Sequence, residues 1–97
     1  MSALNNSINA GDKWTGSPAG SVGTAAVLAV TFKKKSKAIR LVNLHATNNL
    51  LYSLDGGSNY FTIGPNGSID RAYRVNTLHV KGSGSSTGYD LEYTEQQ

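Results

Sequence analysis

Few residues of this chain have the type and spacing that chemistry needs. Its two histidines, His45 and His79, lie far apart, and neither belongs to an H-x-H or H-E-x-x-H pattern that would hold a metal. There is no cysteine, which excludes thiolate zinc sites, thiol nucleophiles and disulfides. Asp55 and Asp70 stand outside any acidic cluster of the kind that builds a calcium loop. Asp55 precedes Gly56-Gly57 and is expected to cap a hairpin, its carboxylate accepting from the backbone of the turn that follows. Serines are common, but no G-x-S-x-G elbow presents one as a nucleophile. The run "GSGSSTG" (82–88) lacks the Lys-Ser/Thr ending of a phosphate loop and has no helix after it, so it reads as a flexible linker between strands. The expectation is a chain that is not an enzyme and has no metal or cofactor.

Charge is the stronger signal. The formal net charge is +3, but Lys33, Lys34, Lys35, Lys37 and Arg40 place five positive charges within eight residues. After Gly88 come Asp90, Glu92 and Glu95 with no base among them. A chain so divided can meet copies of itself or an acidic surface. The basic run has three readings: a solvated hairpin tip, a contact with an acidic protein surface, or a phosphate-binding strip. Nucleic acid is disfavoured because no aromatic residues interleave the lysines. The five tyrosines could form a sugar-binding surface, but their strand phase mostly places them in sheet packing.

The elements that would position these residues are strands. Ninety-seven residues make one domain at most, 38% apolar and with 11 glycines. No segment has helical periodicity. The longest apolar stretch, "TAAVLAVTF", is strand-sized, so no membrane span is expected, and the opening residues lack the pattern of a signal peptide. Residues 1–23, rich in Asn, Ser, Gly and Pro, read as an extended arm with Leu4, Ile8 and Trp14 as isolated apolar anchors. Trp14 either packs on its own domain or docks on a neighbour.

From Thr24 the texture becomes that of a β-domain, residues 24–97. "TAAVLAVTFK" puts Ala26, Leu28, Val30 and Phe32 on one face. "KAIRLVNLHA" breaks its alternation near Leu41–Val42, which implies two covered faces or a bulge. "NLLYSLD", "YFTIG", "SIDRAYRV", "NTLHVKG" and "YDLEYTE" follow, separated by "DGGSN", "PNG" and Gly-Ser turns. In the last, Tyr89, Leu91 and Tyr93 oppose Asp90 and Glu92. Seven short strands with turn signals between them indicate an all-β fold: an antiparallel β-sandwich, jelly-roll-like, with an extended N-terminal arm.

The second half of the chain carries a resemblance. Tyr52, Ser53, Asp55-Gly56-Gly57, Phe61, Ile63, Pro65, Gly67-Ser68, Leu78, Val80 and Lys81-Gly82-Ser83-Gly84 follow a pattern similar to small β-sandwich virion proteins of tailed bacteriophages. The match runs over residues 38–94. It implies a non-enzymatic role as a head decoration or cement protein on the capsid surface, made in the host cytoplasm. The implied partners are the major capsid protein and further copies of the chain, most simply as a trimer. Tail, neck, baseplate or fibre-attachment proteins are the alternative stations, and a carbohydrate-binding module the alternative class. On this reading Leu4, Ile8, Trp14, Lys33, Lys34, Lys35 and Lys37 are the candidate protein-interface residues.

Overall fold

A computed structural model describes residues 14–96. They form eight strands: β1 (Thr15–Val22), β2 (Val27–Thr31), β3 (Ser36–Asn43), β4 (Leu50–Ser53), β5 (Phe61–Ile63), β6 (Ser68–Arg71), β7 (Thr77–Gly82) and β8 (Thr87–Glu95). There are two four-stranded sheets, ordered β1-β8-β3-β6 and β2-β7-β4-β5. Every pairing is antiparallel. The pairs β1–β8, β2–β7, β3–β6 and β4–β5 are nested, like one long hairpin rolled up across two sheets. That is the topology of a jelly roll, as the turn spacing led us to expect.

Alternating residues of the two inner faces fill the core. Ile39, Leu41 and Leu91 come from one sheet; Leu50, Tyr52, Ile63, Leu78 and Val80 come from the other. Val22 and Phe32 join them, and Phe32 meets Tyr93 edge-on at 4.9 Å between ring centres. Tyr89, Leu91 and Tyr93 lie on the core side of β8, as their phase implied, with Asp90 and Glu92 exposed.

Several expectations need correction. The arm expected over residues 1–23 ends sooner: Thr15–Val22 is an edge strand bonded to β8, so the described residues hold eight strands rather than about seven, and the sheet begins before residue 24. Its composition hid it. Pro18 falls within a register irregularity between Ser17 and Gly20, on an edge where one missing N–H is tolerated. Gly20 lies under the Tyr89 ring, and an added Cβ there would come within 2.9 Å of that ring. Leu28 does not share an inward face with Val30 and Phe32. A bulge between Leu28 and Val30 turns it outward, leaving it 53% exposed. β6 stops at Arg71, although Tyr73 and Val75 still pack on the core. The linker expected over 82–88 is shorter, since Gly82 closes β7 and Thr87 and Gly88 open β8, leaving residues 83–86 between them.

The break in alternation expected near Leu41–Val42 is absent: residues 39–42 pair in continuous register with both β6 and β8, and the irregularity of this strand lies earlier. A bulge lies between Ser36 and Ala38, where β3 pairs with β8. Seven positions apart, Ser36 and Asn43 would face opposite sides of a regular strand. The extra residue reverses the phase, so both ends of β3 are fully buried while Ile39 and Leu41 between them enter the core.

Leu41 pairs with Leu91 on one side and Ile69 on the other. Truncating this fully buried side chain leaves a cavity that three strands cannot close. Leu41→Ala is therefore expected to lower unfolding free energy by about 2–5 kcal/mol, read as a drop in denaturant midpoint at unchanged slope.

Candidate interaction surface

The polar side chains nearest to chemistry turn out to be committed to the fold. Asp55 follows β4 in the one loop among the described residues that joins consecutive neighbours of one sheet, β4 and β5. Gly56 and Gly57 there have φ of 80° and 99°, a region that penalises any residue with a Cβ. Asp55 Oδ1 accepts from the Ser53 hydroxyl at 2.7 Å and from the N–H groups of Ser58 and Asn59 at 3.1 and 3.0 Å. Its Oδ2 accepts from Asn59 Nδ2 at 2.7 Å. The backbone N–H of Asn59, then its side-chain amide and the Ser53 hydroxyl, hold the Asp55 carboxyl well below the usual carboxylate range. The expected hairpin cap is present, and its oxygens are in use.

Asn43 does the same at one end of the sandwich. Its Nδ2 donates to the carbonyls of Asn48, Ile63 and Gly64 at 2.9, 3.1 and 3.0 Å, and its Oδ1 accepts from His45 N–H at 2.9 Å. One amide thus ties the β3–β4 connection to the β5–β6 turn. His45 Nδ1 accepts from the N–H groups of Thr47 and Asn48 at 3.0 and 2.8 Å. Asn48 Nδ2 donates onward to Thr87 Oγ1 at 3.1 Å. At the opposite end of β3, the Ser36 hydroxyl donates to Tyr73 O at 2.5 Å and accepts from Val75 N–H at 3.0 Å. The Tyr52 and Tyr73 hydroxyls meet at 2.9 Å. Burial, and then that bond, push the Tyr52 hydroxyl above its ordinary range.

The basic run is the turn between β2 and β3. Its backbone is anchored on all sides. Phe32 N–H donates to Asn76 O at 2.9 Å, and Ser36 N–H to Val75 O at 2.9 Å. Lys33 N–H donates to Glu95 Oε2 at 2.7 Å, and Gln96 N–H to Lys35 O at 2.8 Å. The Lys33, Lys34 and Lys35 side chains are exposed and make no ion pair with a described residue. Lys37 differs from its neighbours: it is half-buried and engaged within the chain.

Trp14 lies elsewhere, on the outer face of the β1-β8-β3-β6 sheet. It borders an open depression of about 410 Å³ with Arg40, Asp70 and Glu92. A second depression of about 350 Å³ shares Arg40 and Glu92 and continues past Gly16 and Val42 to Asp90. Arg40 Nη1 is 3.3 Å from Glu92 Oε1. The register places Gly16, Glu92, Arg40 and Asp70 in one row across the four strands. Sequence reasoning singled out Trp14 and the lysines but missed this row, whose four members come from four separate strands. Leu4 and Ile8 lie outside the described residues.

No family model and no curated protein matches the chain. A solved structure described as "Bacillus endospore appendages form a novel family of disulfide-linked pili" is similar over 92% of this chain and 95% of that one, with 9% identity and a TM-score of 0.49. No residue role carries over from it.

Asn43→Ala removes four bonds at once and strands backbone groups in a buried corner. Each orphaned group costs about 1–3 kcal/mol, so a larger loss of stability than for Leu41→Ala is the expected outcome of chemical denaturation. A lowered carboxyl pKa stabilises the folded loop fully above the ordinary value of about 3.9, and that contribution fades only as pH falls toward the lowered value. At about pH 3, where a free aspartate is mostly protonated, Asp55 should still be ionised. A carboxyl carbon titration by NMR checks this, and titration near the ordinary value would contradict the geometry.

Proposed function

We propose that this chain is a structural protein of a tailed-phage virion, of the head decoration or cement type, which binds and stabilises neighbouring capsid subunits. The supporting observation is the division of labour among its polar groups. Asp55, Asn43 and Ser36 spend their hydrogen-bonding capacity on closing their own loops, and His45 Nδ1 does the same. The lysine turn and the outer sheet faces are what remains for a partner. The pattern of residues 38–94, similar to small phage virion sandwiches, supports the same reading. Its mechanism is mechanical. A rigid roll holds a basic turn and the segment leading into β1 against adjoining subunits, and many modest contacts raise the cost of separating them.

The test is occupancy on particles. Purified protein is added to heads that lack it, and bound copies and the temperature of head disruption are measured. Saturable binding with a raised disruption temperature is expected, weakened when Lys33, Lys34 and Lys35 are all changed to Glu. Absence of binding to heads, or binding confined to tails or necks, removes the head assignment. Selective binding on a glycan array instead would favour the carbohydrate-binding class.

A further inference from the structure

We infer that the outer face of the β1-β8-β3-β6 sheet, where Trp14 borders Asp70 and Glu92, receives the Lys33–Lys35 turn of a second copy of this chain. The two surfaces are complementary in charge and form. Three exposed ammonium groups crowd one short turn without a carboxylate partner among the described residues. Two acids border the turn, and both are bonded to backbone or loop groups rather than to a lysine side chain. Glu95 accepts the Lys33 backbone N–H, and Asp55, which shares a depression with Lys35 and Arg74, is closed into its own loop. The receiving face has the opposite excess. Asp70, Asp90 and Glu92 stand there, and among the described residues lining the two depressions the one base is Arg40, which is paired to Glu92. Asp70 and Asp90 therefore remain without an ion pair among the described residues.

The site is shaped for a lysine. An ammonium group is attracted to the face of an indole, and more so when carboxylates stand beside it. Trp14 and Asp70 supply that combination at one end of the groove. Asp90 supplies a second carboxylate at the other, beyond Gly16, where no side chain narrows the path. The donor is already ordered, because the backbone bonds of residues 32–36 hold the turn in place, and little entropy is lost when it docks. Turn and face are close on one copy: Ser36 pairs with Glu95, three residues along β8 from Glu92, or about 10 Å. Two copies can therefore exchange turns, each giving one and receiving one. This contact concerns the chain alone and stands whether or not the final partner is a capsid.

The experiment is sedimentation of the full chain over a range of concentrations, with fluorescence of Trp14, the chain's one tryptophan. Wild type should associate, and its emission should shift on association. About 1 M salt, where screening reaches about 3 Å, should dissociate it. The K33E/K34E/K35E variant and the D70K/D90K variant should each be monomeric, and their mixture should associate again, because both contacts are then complementary. Circular dichroism confirms that each variant is folded. A peptide of residues 31–37 should shift the emission of dilute wild type, while the same peptide with Glu in place of Lys should not. A monomeric wild type, association unaffected by either set of substitutions, or a mixture that stays monomeric would each overturn the inference. So would Trp14 emission indifferent to the lysine peptide.

Discussion

Strand β3 must turn both of its ends inward. It is bonded on one side to β8 and on the other to β6, so it helps to hold three strands of its sheet in register. Its terminal residues, Ser36 and Asn43, are polar and fully buried. A regular pleat cannot place both on one side, and the bulge between Ser36 and Ala38 resolves the conflict. Once both face inward, Ser36 closes the β6–β7 connection at one end of the roll and Asn43 closes two connections at the other. A buried amide or hydroxyl without partners would be strongly unfavourable, so bulge, strand ends and loops stand or fall together.

This arrangement decides what the surface can offer. A jelly roll of this size has many connections that cross between sheets, and their backbone groups need partners outside any ladder. The chain supplies them from short polar side chains: Asn43, Asn48, Ser53, Asp55 and Thr87. What faces outward is mixed: Lys81 lies 4.1 Å from the centre of the Tyr60 ring and Val27, Leu28 and Phe61 are exposed on the second sheet, while Arg40 is paired with Glu92 on the first.

Much of the framework was legible in the sequence because period-two alternation and turn residues report directly on strands that bury one face. The last strand, with Tyr89, Leu91 and Tyr93 inward, was the clearest case. The Asp55 cap was legible because carboxylate, glycines and hairpin are adjacent in sequence. β1 was hidden, since its Gly, Pro and Ser residues have no strand signature and its partner β8 lies some seventy residues later. The inward role of Ser36 and Asn43 was hidden for a different reason. A bulge is a property of pairing, and no residue type in "SKAIRLVN" declares it. The row across the first sheet was missed because Asp70 and Glu92 meet only through the register of β3 with its two neighbours.

The pairing of β1 with β8 also bears on synthesis. β8 lies between β1 and β3 in the sheet but follows every other strand in the chain. Until it leaves the ribosome, β1 has no partner in its sheet and the inner row of Tyr89, Leu91 and Tyr93 is missing from the core. Completion of the sandwich must wait for the end of the domain, and the closing contacts join segments at its two extremes. Such non-local pairing is slow and leaves strand edges open meanwhile. The short edge strands β5 and β6 and the irregular, proline-bearing β1 limit what those edges could capture before the roll closes.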